Sequence, residues 1–260
     1  MARLMDTKNY WNANLDTDNL SRDGGSQHAD IAQAVELART PEFEWLLSVA
    51  QPLAGKTLID IGGGIGMHAI IWARAGAHVI VADLAAERLK ALCVLAEKDG
   101  VAERMQFVAC RAEELPFAVE SADFVFTKSV LIHTDLPVAA KEMARVLRPD
   151  GRGLFIEPMN RNPIIALYRH WFAPKEWRDI TRYFDQWSLD ALRGGFGFLR
   201  WKPYYLLSAG SFFWQYMLCR PKHFAQSLAF WRRIDRKLTR RFHALEKWCW
   251  FAAIETRKKP

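Results

Sequence analysis

Residues 58–85 read "LIDIGGGIGMHAIIWARAGAHVIVADLA" and pack four glycines into five positions, followed by a second apolar stretch that closes on an acidic residue. The order is strand, tight turn, helix, strand. Asp60 ends the first strand, Gly62, Gly64 and Gly66 follow at alternate positions, and "MHAIIWARAG" opens the helix. Glycines here let the backbone bend sharply and let a ligand approach with no Cβ in the way. Asp83 closes the second strand 21 residues after Gly62, where a carboxylate can accept hydrogen bonds from both hydroxyls of a ribose. These residues point to a nucleoside-bearing cofactor at the first strand-to-helix turn.

Outward from that stretch, short β-branched or apolar runs alternate with helical ones. "KTLIDI", "HVIVAD", "MQFVAC", "ADFVFT" and "GRGLFIE" are interleaved with helices expected near 66–76, 85–99 and 137–147, and an amphipathic helix is expected over 28–50. Strands and helices at this spacing make βαβ units, hence an α/β fold with a doubly wound, mostly parallel sheet. In such sheets ligands bind at the carboxyl ends of the strands, where the strand order switches direction.

A chain of 260 residues, half of them hydrophobic, can bury the core of one domain. No stretch reaches the roughly 18 uninterrupted apolar residues of a membrane span, and the polar opening lacks the pattern of a signal peptide, so a cytoplasmic location is expected. Cys93, Cys110, Cys219 and Cys249 are scattered without C-x-x-C pairing and read as reduced packing residues, with no metal site. Charge is unevenly spread. Residues 1–160 hold 16 Lys+Arg against 22 Asp+Glu, whereas residues 161–260 hold 20 against 7 and also carry 23 of the 33 aromatic residues. The two parts have different work to do.

The glycine spacing decides which nucleoside is meant. A dinucleotide turn needs glycine three positions after Gly64, yet Met67 stands there, and the pattern present is D-x-G-x-G-x-G. This resembles the class I S-adenosylmethionine-dependent methyltransferases, in their ubiquinone/menaquinone-type, methyltransferase-11-like branch. The resemblance covers roughly residues 55–157. "LIDIGGGIG" looks like their first motif, "VIVAD" their acidic second-strand end, and "RAEELPF" their adenine-side loop. "ADFVFTKSVLIH" is similar to their fourth strand and turn, and "EMARVLRPDGRGLFIEP" to the helix, turn and fifth strand. The resemblance implies a seven-stranded Rossmann-like sheet with an antiparallel edge strand, and S-adenosyl-L-methionine as cofactor.

It also implies roles. Asp60 would act near the ammonium of the methionyl tail, the amides of Gly62, Gly64 and Gly66 would receive its carboxylate, and Asp83 would take the ribose. Leu84, Ala112 and Glu113 would hold the adenine, Lys128 would join the cofactor set, and Tyr10 and Trp11 in "KNYWNANL" would form an aromatic lid. One position departs from the family, which commonly has Asp where this sequence has Arg111. The adenine amino contact is thereby displaced to backbone groups, or Arg111 points to solvent. His133 follows the fourth strand on the ligand side, and the ordinary histidine pKa near 6.5 suits a general base for a hydroxyl; orienting its own loop is the alternative. Glu157, ending the fifth strand before Pro158, either meets substrate or serves as a structural acceptor.

The division expected is an N-terminal helical lid over 1–50, a cofactor-binding core over 51–160 and a basic, aromatic-rich acceptor-binding elaboration over 161–260, within one domain. "FGFLRWKPYYLLS" reads as strand six and "KWCWFAAIETRKK" as the antiparallel edge strand. Between them a basic amphipathic helix is expected, with Phe224, Leu228, Trp231, Ile234, Leu238, Phe242 and Leu245 on one side. Arg232, Arg233, Arg236, Lys237, Arg240 and Arg241 occupy its other faces. Tryptophan interleaved with arginine suits a membrane interface with anionic lipid; the bland alternative is a solvated basic face. No nucleic-acid-binding module is visible. The function expected is methyl transfer to a hydrophobic small-molecule or lipid-linked acceptor, at or near a membrane. A non-catalytic membrane-associated binding protein, or transfer of another group from the same cofactor, is the alternative, against which the complete glycine motif and Asp83 weigh.

Overall fold

The computed structural model describes residues 31–172 and 181–258. Helices α1 (Ile31–Ala38) and α2 (Pro41–Ala50) precede β1 (Thr57–Ile61), α3 (Met67–Arg74), β2 (His78–Asp83), α4 (Ala86–Asp99), β3 (Met105–Ala109) and β4 (Ala122–Lys128). Then come α5 (Leu136–Val146), β5 (Leu147–Pro158), α6 (Pro163–Phe172), α7 (Gln186–Gly195), β6 (Phe198–Tyr204), α8 (Phe212–Tyr216), α9 (Pro221–Arg241) and β7 (Phe251–Arg257). The strands form one seven-stranded sheet in the order β3-β2-β1-β4-β5-β7-β6. The first five pair in parallel, and β7 runs antiparallel to both its neighbours. This is the doubly wound α/β sheet expected from the sequence.

Helices cover both faces, so the central strands are buried on both sides and read as continuous apolar runs. On one face Leu58, Val81 and Phe126 pack against Phe43, Ile70 and Trp72. On the other, Ile59, Val125 and Phe155 meet Met143, Leu189 and Leu192. Because β2 lies on one side of β1 and β4 on the other, the loops leaving β1 and β4 part and open a crevice at their carboxyl ends.

Three expectations are corrected. The helix expected over 28–50 is divided among the described residues, because Pro41 starts α2 and forces Thr40 into an extended conformation with φ −70° and ψ 155°. The antiparallel strand β7 lies one place in from the edge, and β6 forms the edge. Buried Glu255 of β7 pairs with Arg200 of β6 and lies 3.9 Å from Arg152 of β5, joining both neighbours. The amphipathic helix stops at Arg241, and His243–Trp248, with Leu245, form a 3₁₀ turn.

The burial of α9 is also unlike a core helix. Its single buried residue is Asp235. That carboxylate accepts from the backbone amides of Leu206 (3.0 Å), Leu207 (2.9 Å) and Ser208 (3.2 Å) and from the Ser208 hydroxyl (2.6 Å). Removing it strands three buried donors. Asp235→Ala should therefore cost roughly 3 kcal/mol in denaturant unfolding, with part recovered in Asp235→Asn. A loss under about 0.5 kcal/mol would show that the loop after β6 holds itself. Among the described residues no helix is long and apolar enough to cross a membrane.

Candidate functional site

The crevice is lined first by the turn after β1. Gly62 and Gly64 take φ of 69° and 50°, in the left-handed region that favours glycine. A Cβ on Gly62 would run into the Val130 side chain, and one on Gly64 would lie 2.8 Å from the Arg88 guanidinium. The turn is thus pressed against the loop after β4 on one side and α4 on the other. Gly66 stands at the N-cap of α3 and its amide donates to Gly63 O at 2.7 Å.

Two acids face this turn. Asp83 Oδ2 accepts from the Gly64 amide at 2.9 Å and Oδ1 from the Ala85 amide at 2.7 Å. One carboxylate therefore pins the glycine turn to the end of β2, and each oxygen keeps a further lone pair for a ligand hydroxyl. Asp60 is buried, and burial, followed by the charge of Asp83, holds its carboxyl well above the usual range. Leu84 is partly exposed beside Asp83.

On the adenine side Ala112 is buried. Glu113 Oε1 accepts from the Asp135 amide at 2.9 Å, while Arg111 lies 3.6 Å from its other oxygen. Arg111 is thus held by its own loop, and Glu113 is engaged in joining that loop to the start of α5.

Lys128 ends β4 with Nζ 3.5 Å from His68 Nε2, and burial lowers its pKa. Burial, then the Lys128 charge, lowers His68 well below the ordinary value. The ring meets Phe43 edge-on at 4.5 Å between centroids. Sequence reading passed over His68 and Arg88, although a lone polar residue next to a glycine turn was a usable signal for His68.

His133 closes the 3₁₀ turn Leu131–His133 after β4 and is partly exposed. Glu157 is 0% exposed. Its Oε1 accepts from Thr127 Oγ1 at 2.9 Å and from the amides of Val130 and Leu131 at 3.2 Å each, while Oε2 is buried without a hydrogen-bond partner. Oε1 thus serves as a structural acceptor for the turn that carries His133, and Oε2 is not used in it. Tyr10 and Trp11 lie outside the described residues.

Burial pushes the Glu157 carboxyl up from 4.5 to about 7. The native state then binds a proton that the unfolded chain releases at lower pH. Its stabilisation is full below the unfolded value and is lost as pH rises toward 7, about 3 kcal/mol in all. Glu157→Gln should remove this slope, gaining on the wild type as pH rises from about 5 to 8 in denaturant titrations. Two parallel curves would mean that the carboxyl ionises as readily folded as unfolded.

Residues 59–155 match the family model described as a methyltransferase domain. They run from β1 into β5 and contain every described residue assigned above to the cofactor. These residues therefore make up a methyltransferase domain, in the stretch that resembles the class I S-adenosylmethionine-dependent methyltransferases. The chain is 33% identical over 153 residues to the ubiquinone/menaquinone biosynthesis C-methyltransferase UbiE of Brucella anthropi, covering 57% of this chain and 52% of that one. It is 35% identical over 122 residues to a ubiquinone biosynthesis O-methyltransferase of Cereibacter sphaeroides, with 47% and 49% covered. The chain spans about half the length of these curated relatives. The crystal structure of geranyl diphosphate C-methyltransferase from Streptomyces coelicolor, in complex with Mg2+, geranyl diphosphate and S-adenosyl-L-homocysteine, shares the fold with a TM-score of 0.65 at 15% identity, covering 100% of this chain and 99% of that one.

Proposed function

We propose that the protein transfers a methyl group from S-adenosyl-L-methionine to an oxygen, nitrogen or carbon of a hydrophobic small-molecule or lipid-linked acceptor, at or near a membrane surface. The observation that carries the reading is the glycine turn pinned by Asp83, packed so closely between Val130 and Arg88 that Gly62 and Gly64 admit no Cβ, with a lone pair left on each Asp83 oxygen for a ligand hydroxyl. The cofactor fits the donors present. Asp83 would take the ribose hydroxyls, Asp60 would face the tail ammonium, and Lys128 with the turn amides would face the tail carboxylate. Leu84, Ala112 and the Glu113 backbone would bound the adenine.

When bound, the cofactor supplies an electrophilic methyl group on a positively charged sulfur. The chain's own residues then align the acceptor and keep water out. For an acceptor that carries a proton on the attacking atom, His133 at the end of β4 is placed to take it. Glu157 holds the His133 turn through Val130 and Leu131 by one oxygen, and its second oxygen is left to meet the acceptor or a proton.

The acceptor class draws support from two sources. Both curated relatives are named for quinone biosynthesis, and the solved neighbour holds an isoprenoid diphosphate. In this chain the sheet's carboxyl end is bordered by aromatic rings, with Tyr205, Phe212, Trp250 and Phe251 in mutual contact. The test is incubation of cell extract with methyl-labelled cofactor. Label in the organic-soluble fraction is the expected result, and label confined to protein, nucleic acid or water-soluble products would refute the acceptor class.

A further inference from the structure

We propose that the basic face of α9 and the apolar cleft beside it form the surface by which the protein rests on an anionic phospholipid bilayer. The proposal deepens the reading above by naming the docking surface and the lipid it selects.

Helix α9 is about 30 Å long, and its one acidic residue, Asp235, is turned inward onto the amides of residues 206–208. The charged residues left on the outward face are all cationic. Arg233, Arg236, Lys237 and Arg240, at helical spacing, line a shared groove. None of the four has a carboxylate within 4 Å among the described residues. Several cations elsewhere are matched, as in Arg39–Glu44, Arg145–Glu142, Arg148–Asp123 and Lys258–Glu120. A row of unmatched cations on one helix calls for an anionic partner with repeated charge.

The apolar component identifies that partner. Phe230 stands on the cationic face and is 58% exposed, and Phe242 at the end of the helix is 51% exposed. Next to the groove is a cleft of about 350 Å³ bounded by Ile164, Leu206, Leu207, Leu238, Leu245 and Trp248. Leu238 lines the cleft while its neighbours Lys237 and Arg240 line the groove, so hydrocarbon and cation share one helix. A nucleic acid would meet the cations and could stack on Phe230 or Phe242, but it would leave the mainly aliphatic cleft beside them uncovered. A bilayer of anionic lipid satisfies both, with acyl carbon against the leucines and headgroup phosphate against the arginines.

Placement agrees with use. Ile164 follows the carboxyl end of β5, and Leu206 and Leu207 follow that of β6. Since β5 and β6 point the same way, with β7 reversed between them, the surface lies at the end of the sheet that carries the site. A hydrophobic acceptor could pass from bilayer to crevice without crossing bulk water.

The test is co-sedimentation of the full chain with vesicles of phosphatidylcholine alone or mixed with phosphatidylglycerol. Binding is expected to the mixed vesicles only, with release as salt is raised. The quadruple variant Arg233→Gln, Arg236→Gln, Lys237→Gln and Arg240→Gln should bind them about 100-fold more weakly, and Phe230→Ser should weaken binding even at low salt. The thermal shift given by S-adenosylhomocysteine should match wild type in both variants, which shows that they fold. Wild type that ignores the mixed vesicles, a quadruple variant that binds them normally, or capture of RNA in their place would each overturn the proposal. Absence of the S-adenosylhomocysteine shift in wild type would defeat the catalytic reading alone, since sedimentation does not depend on the cofactor.

Discussion

His133→Ala is expected to slow methyl transfer to a hydroxyl acceptor by about 10²- to 10⁴-fold while leaving S-adenosylhomocysteine affinity within about twofold of wild type. The expectation rests on place. His133 ends the turn after β4, at the carboxyl end of the sheet, and Glu157 fixes that turn by two amides and Thr127. Single-turnover rates with saturating cofactor separate chemistry from binding. Equal losses of rate and cofactor affinity would make His133 a residue that shapes the loop. A rate within about threefold of wild type would mean that the acceptor atom carries no proton to remove, as for an activated carbon or a free amine.

Asp83→Ala should weaken S-adenosylhomocysteine binding about 1000-fold. Two effects add. The variant loses charge-assisted bonds to the ribose diol, and it leaves the amides of Gly64 and Ala85 without the acceptors that hold the turn in shape. Isothermal titration measures the sum, and titration with adenosine alone shows whether the loss lies on the nucleoside side. Affinity within about threefold of wild type would remove Asp83 from the ribose.

The parallel sheet was legible because each strand and helix from β1 to β5 announces itself by a change of apolar period, and the D-x-G-x-G-x-G turn names its own position in that series. Less was legible wherever a role depends on backbone groups far along the chain. Asp235, set among arginines, reads as a solvated residue in sequence; only the three amides of residues 206–208 make it an anchor. Glu157 could meet substrate or structure on sequence alone, and its hold on the amides of Val130 and Leu131 had no local trace. Lys128 and His68 stand 60 residues apart, so their contact had no local trace. The break before α2 was readable from Pro41, but the apolar stripe passes through it unchanged. Strand order after β5 was hidden because β6 and β7 carry patterns that do not reveal which one sits inside.

That last arrangement has a bearing on how the molecule is made. On the ribosome β5 is complete at Pro158, but the strand that covers its free edge begins at Phe251, about 5–20 s later at ordinary rates of synthesis. Throughout that interval β5 presents a row of unpaired amides and carbonyls, and β6, once Tyr204 is added, waits without a partner in the native sheet. Such edges invite pairing with another nascent chain. The protein thus passes through its most aggregation-prone stage late in translation, and a chain interrupted before Phe251 would be left there.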